Sequence, residues 1–179
     1  MARIRPLEYE EVGPEMRAAY DEQVAQHGRM TNMKRTLAHS PAAFRALMQW
    51  YPLFEEAKNF LGERAAILFV HAISTETDCL ICSTFFRRML IQWGENPDDL
   101  SLNDRERTLI EFGRALARDP NGVSDGLFSE LRRNFSDAEI VTLTAWGGVM
   151  IATNVFNNAL RIPLDEYLLP YRKQEAAAG

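Results

Sequence analysis

Apolar side chains recur at three- and four-residue spacing along most of the chain, and no segment keeps the strict alternation of a half-buried strand. The spacing predicts a first helix from Pro14 through Met16, Ala19, Tyr20 and Val24, ended by Gly28. Ser40 and Pro41 form a cap and first-turn pair, and Phe44, Leu47, Met48, Tyr51 and Phe54 then trace the stripe of one second helix. A third, from Ala65 through Ile73, has almost no polar face and is expected at the centre. Phe85, Phe86, Met89, Leu90 and Trp93 mark a fourth, broken at Gly94-Glu95-Asn96-Pro97. Asn103 or Asp104 caps a fifth through Leu109, Ile110, Phe112 and Leu116, and Ser124 begins a short sixth. The capping box Ser136-Asp137-Ala138-Glu139 launches a seventh, in which Ala145, Gly147, Gly148 and Ala152 permit close helix contact.

Between these stripes, residues 1–13 read as an irregular lead-in arm, Arg29 to His39 as a loop with short helical turns, and 173–179 as a frayed tail. The expectation is an all-α protein, one compact helical domain over 1–179 with about seven or eight helices. Composition agrees, since 46% of the 179 residues are hydrophobic, enough to bury a core. The net charge of −5 argues against a nucleic-acid partner, and Arg87-Arg88 and Arg132-Arg133 read as solvated pairs. The apolar run from Ala65 is cut by His71 and then by Ser74-Thr75-Glu76, so no membrane span is expected. The start, Met1-Ala2-Arg3-Ile4-Arg5-Pro6, lacks the apolar stretch of a secretory signal, and a cytoplasmic location is expected.

The chemistry concentrates at one point. The two cysteines of the chain, Cys79 and Cys82, stand in Thr77-Asp78-Cys79-Leu80-Ile81-Cys82-Ser83, where one helix ends and the next begins. On a helix such a pair shares a face one turn apart, close enough to pass between dithiol and disulfide. With Thr77 or Asp78 as cap, Cys79 lies in the first turn, where free amides and the positive dipole end favour a thiolate. Analogy with redox pairs in general makes Cys82 the sulfur that meets the oxidant and Cys79 the one that resolves the sulfenic acid. Free cysteines also pack as small hydrophobes in helix interfaces. A zinc site asks for about four ligands, and with neither a second CxxC nor an HxxxH the sequence calls for no metal and no cofactor.

The segment Met30 to Pro41, the unit from Ala65 to Arg88, and the stretches Leu102 to Arg107, Leu127 to Glu139 and Asn154 to Tyr167 together resemble the alkylhydroperoxidase D and carboxymuconolactone decarboxylase group, especially its peroxidase-related members. That resemblance implies an all-helical fold, a trimer or hexamer of identical chains, and reduction of hydroperoxides by a cysteine pair re-reduced by a thiol donor. The group supports its cysteines with a glutamate and a histidine that relay protons, and here those positions hold Ile67 and Phe86. Some members carry a histidine just before the second cysteine, where this chain has Ile81.

With the relay replaced, His71 and Glu76 are the candidate proton carriers, His71 first because an imidazole titrates near neutrality. Asn154, Asn157 and Asn158 are polar positions in an apolar segment, placed either toward the cysteines or in capping and interface bonds. Three functions compete. The first is a thiol peroxidase or disulfide oxidoreductase. The second is a non-catalytic relative binding a small apolar ligand or partner, motivated by Ile67, Ile81 and Phe86. The third is a lactone decarboxylase, for which Arg87, Arg88 or Arg114 would hold carboxylates.

Overall fold

The computed structural model describes residues 1–173, so the expected frayed tail lies outside them beyond Lys173. Among the described residues there are nine α-helices and no strand: α1 Pro14–His27, α2 Asn32–Leu37, α3 Pro41–Met48, α4 Trp50–Leu61, α5 Glu63–Glu76, α6 Leu80–Gln92, α7 Asp104–Arg118, α8 Asp125–Asn134 and α9 Asp137–Leu160. The all-α expectation holds; the count of seven or eight falls short for two local reasons. The loop predicted from Arg29 to His39 contains α2, capped where the Thr31 hydroxyl accepts from the Lys34 amide. The single second helix is broken at Gln49 into α3 and α4, because Pro52 has no amide to donate to the Met48 carbonyl and sits instead in the first turn of α4.

Other boundaries follow the sequence. Gly28 ends α1 at φ 77°, a left-handed conformation glycine adopts without strain. Asn103 with Glu106 and Ser136 with Glu139 close reciprocal capping boxes on α7 and α9. Residues 1–13 form an extended arm with one 3-10 turn at Tyr9–Glu11, held by the Arg3 amide on the Leu160 carbonyl and the Leu7 amide on the Arg35 carbonyl.

α5 is the central helix, as its unbroken apolar run predicts. Ala66, Ile67, Leu68, Phe69, Val70, Ala72 and Ile73 are all buried, and α4, α6, α7 and α9 pack around it. Two glycines set how closely these helices approach. A Cβ at Gly147 would stand 2.9 Å from Leu116 Cδ1 and one at Gly113 would stand 3.0 Å from the Phe69 ring. The neighbouring Gly148 faces open space, on an outer side of α9 where Val141 and Val155 are exposed. α9 corrects one expectation: by length and composition alone it qualifies to cross a bilayer, with mean hydropathy 1.3 over its most apolar window. Its inner face, with Ile140, Leu143, Trp146 and Met150, is buried in this core.

Candidate active site

The cysteines occupy the corner between α5 and α6. α5 ends at Glu76, Asp78 turns the chain with φ 50°, and the Cys79 amide bonds back to the Ser74 carbonyl at 2.9 Å. Cys79 itself, extended at φ −87° and ψ 99°, is the cap of α6, which shifts the predicted start from Thr77 or Asp78. Cys79 therefore precedes the first turn and Cys82 stands in it at the third helical position. α9 pins this corner with three asparagines. The Asn154 side chain donates to Thr77 Oγ1 at 2.8 Å and that of Asn158 to the Thr77 carbonyl at 2.9 Å. Asn157 turns inward, its Nδ2 3.3 Å from Cys82 Sγ and 3.8 Å from Cys79 Sγ.

One buried amide thus reaches both sulfurs, which brings them face to face as free thiols. The Cys79 thiol is brought down to about 7: the Cys82 thiol donates to it, and the Cys82 and Ile81 backbone amides and Asn157 support its thiolate against the cost of burial. Cys82 is pushed the opposite way by the Cys79 it donates to and by burial. The pair holds its first negative charge at Cys79, the residue nearest the free amides of the helix start.

Accessibility runs in the other direction. Cys79 is wholly buried, whereas Cys82 lies on the floor of a cavity of about 410 Å³. Ile67, Ile81 and Phe86, at the positions of the group's proton carriers, line this cavity around Cys82, and Trp50, Phe54 and Met150 continue the wall. Trp50 stacks on Phe54 with centroids 5.0 Å apart and on Phe86 at 6.1 Å.

The two candidate proton carriers are elsewhere. His71 is not among the cavity residues. Burial, and then the charge of Arg87, lower its pKa to about 4. Glu76 forms an ion pair with Arg118 at 3.0 Å. Of the three arginines considered for carboxylates, Arg87 is paired with Asp98 at 2.5 Å and Arg88 alone lines the cavity.

Sequence reasoning missed the polar side of this cavity, called its mouth below, built by Lys34, Tyr51, Arg88, Asp165 and Tyr167. These residues come from α2, α4, α6 and the segment after α9, and no short-range spacing joins them. Among the described residues no three His, Cys, Asp or Glu side chains gather as a metal site would require.

No protein-family model matches the sequence, and no curated protein matches it. The fold, however, has solved counterparts. An uncharacterized peroxidase-related protein from Ralstonia eutropha JMP134, described as an alkylhydroperoxidase AhpD core, superposes with a TM-score of 0.76 at 18% identity, over 97% of this chain and 98% of its own. The debrominase Bmp8 superposes with a TM-score of 0.77 at 16% identity, over 94% of this chain and 95% of its own. A cysteine-to-alanine form of Bmp8 has been solved with 2,3,4-tribromopyrrole bound. An uncharacterized peroxidase-related protein from Silicibacter sp. TM1040 gives 0.75 at 15% identity over 88% of each chain. The chain has the alkylhydroperoxidase D-like helical fold.

Proposed function

We propose that the protein is a thiol-dependent oxidoreductase in which Cys79 and Cys82 reduce an organic hydroperoxide. The observation that carries this reading is the Asn157 amide within 3.8 Å of both sulfurs at a helix start. Cys79, ionised near neutrality, takes the proton of Cys82, so the pair supplies the base that Ile67 and Phe86 no longer provide. The Cys82 thiolate attacks one peroxide oxygen, the O–O bond breaks, and the displaced alkoxide leaves as the alcohol. Cys79 then attacks the Cys82 sulfenic acid, the S–O bond breaks, and hydroxide leaves with formation of the disulfide. The thiolate–thiol pair gives up two electrons and its one proton, which Cys79 passes to the departing alkoxide; the oxygen lost from sulfur leaves as hydroxide and becomes water with a proton from solvent. An external dithiol re-reduces the pair. Peroxidase-related neighbours support the reading at the level of fold.

A second reading keeps the same sulfurs and changes the oxidant. The aromatic wall of Trp50, Phe54 and Phe86 beside Cys82 suits a small ring, and one structural neighbour is a debrominase. Attack of the Cys82 thiolate on a ring halogen would break the carbon–halogen bond and form a sulfenyl halide, and the ring carbanion would take the proton held on Cys79 and leave as the reduced ring. Cys79 would then displace halide to give the same disulfide.

The test is anaerobic treatment of the fully reduced protein with cumene hydroperoxide. The expected result is loss of both thiols and a mass two hydrogens lower, with a rate that climbs as pH rises through about 7. Cys82→Ser should abolish peroxide consumption, and Cys79→Ser, which loses both the base and the resolving sulfur, should react more slowly and stop at a sulfenic acid trapped by dimedone. Consumption at the wild-type rate in Cys82→Ser rejects the peroxidase reading, and thiols inert to every oxidant leave the non-catalytic ligand binder standing.

A further inference from the structure

Resting on that assignment of the cavity, and going on to its substrate class, we infer that the site selects an organic carboxylate. Its apolar, ring-sized body lies against Trp50, Phe54 and Phe86 over Cys82, and its carboxylate sits at the mouth between Lys34 and Arg88.

Lys34 is the first support. It is 4% exposed and lines the cavity, with its ammonium bonded to the Tyr51 hydroxyl at 2.7 Å and 5.0 Å from the centre of the same ring. An ammonium has three protons to donate, and among the described residues no carboxylate stands within ion-pair distance of this one. Asp165 acts on it through space without an ion pair, and burial outweighs that attraction; a buried charge so weakly compensated is costly, and that cost falls when an anion enters.

Arg88 is the second, independent support. It reaches the mouth from α6, and its Nε is buried without a hydrogen-bond partner. Its guanidinium lies over the rings of Phe85 and Tyr167, at 5.1 and 5.3 Å from their centres, which fixes the plane while leaving the hydrogen-bonding edge open. Two cations on different helices therefore border one volume whose floor is apolar.

The opposing charge is Asp165. One of its oxygens accepts from the Asn32 amide at 2.9 Å, and the other is buried with no partner. Burial raises its pKa, which lowers the cost of protonating it when a ligand carboxylate comes beside it. The proposed ligand thus satisfies groups on three elements that the protein alone leaves short of partners.

The probe is 2-naphthoate against the neutral 2-naphthalenemethanol, titrated into the reduced full chain by calorimetry. At neutral pH the carboxylate should bind at least about tenfold more tightly, the worth of a charge-assisted hydrogen bond. Lys34→Met should remove most of that preference while keeping the affinity for the alcohol. In the wild type the preference should fade as pH rises through about 8, where Lys34 loses its proton.

The titratable and charged groups that line the cavity with Lys34 are His27 from α1, Tyr51 and Glu55 from α4, Cys82 and Arg88 from α6, Arg29 ahead of α2, and Asp165 and Tyr167 after α9, with Glu55 ion-paired to Lys58 at 2.6 Å. His27 is shifted below its ordinary range and both tyrosines above theirs, leaving Lys34 to change charge near pH 8, above the Cys79 thiol, which ionises near 7. Equal affinity for the two probes, or a preference untouched by pH, overturns the inference, and this wild-type titration decides even if Lys34→Met fails to fold. Binding requires no turnover. A naphthoate preference without peroxide reduction overturns only the proposed function, and peroxide reduction without the preference overturns only this inference.

Discussion

The floor and the mouth of the cavity bury ionisable groups by opposite means. On the floor, Cys79 and Cys82 supply each other's partner: one proton lies between two sulfurs, and Asn157 and the amides of α6 absorb the charge that appears when it leaves. At the mouth, Lys34 keeps a full charge under burial with a tyrosine hydroxyl as its bonded partner. Burial lowers its pKa to about 8, whereas on the floor hydrogen bonds outweigh burial and bring Cys79 down to about 7. Both shifts are downward, but they mean different things. A lowered thiol pKa marks a stabilised anion, and a lowered lysine pKa marks a cation at a loss. On the proposed reading, the floor serves reaction within the protein and the mouth serves a ligand.

The sharpest way to break this comparison is to remove the lysine charge. Lys34 is protonated in the folded chain below about 8 and in the unfolded chain up to about 10.5, so at neutral pH folding carries a penalty of about 3 kcal/mol. Lys34→Met also loses the bond to Tyr51, worth about 1 kcal/mol. The variant should therefore be more stable than the wild type by about 2 kcal/mol at neutral pH in urea unfolding. The unfolded chain holds the extra proton between about 8 and 10, so wild-type stability rises with pH across that window and the gap between the two proteins closes. A less stable variant, or a gap that ignores pH, would mean that Lys34 already has its counter-charge.

On the floor the corresponding change is Asn157→Leu. The side chain donates to both sulfurs, and its own Oδ1 is buried without a partner. Losing it removes a thiolate donor together with an unsatisfied acceptor. Stability should change by less than about 1 kcal/mol, while the Cys79 pKa rises and oxidation by cumene hydroperoxide near pH 7 slows by about tenfold. The ultraviolet absorbance of the thiolate, followed through a pH titration, gives the shift directly. An unmoved titration would show that the helix amides alone hold the charge.

The contrast also explains what could be read in advance. The floor was legible because its parts are close in sequence: the cysteines, the cap-forming residues before them and the apolar run of α5 all lie between residues 63 and 83. Asn157 stood out as a polar residue in an apolar stretch, though its contact with both sulfurs belongs to the packing of α9. The break at Gln49 has its signal in Pro52, which the continuous apolar stripe from Phe44 to Phe54 masks. The mouth had no such signal. Lys34 sat in a segment read as a loop, Arg88 looked like half of a solvated pair, and Asp165 and Tyr167 lie far along the chain. Only the folding of α2, α4, α6 and the segment after α9 around one volume gives them a common role.

His71 supplies the smallest and most discriminating test, because the sequence makes it the leading proton carrier and the fold places it on another face of α5. There it meets Arg87 on α6, Arg114 on α7, and Asp98 and Lys173, and burial holds it neutral down to about 4. The unfolded chain takes up the proton from about 6.5 downward. Between those limits the unfolded state binds more protons, so stability is lost as pH falls and His71 is one cause of the loss. His71→Leu should be more stable than the wild type by about 1 kcal/mol near pH 5.5 and no different above about pH 7.5. Its rate of thiol oxidation should follow the wild-type pH profile, since the imidazole lies outside the cavity that exposes Cys82. A severalfold fall in that rate, with the fold intact, would restore His71 to the proton path and require the corner between α5 and α6 to open during reaction.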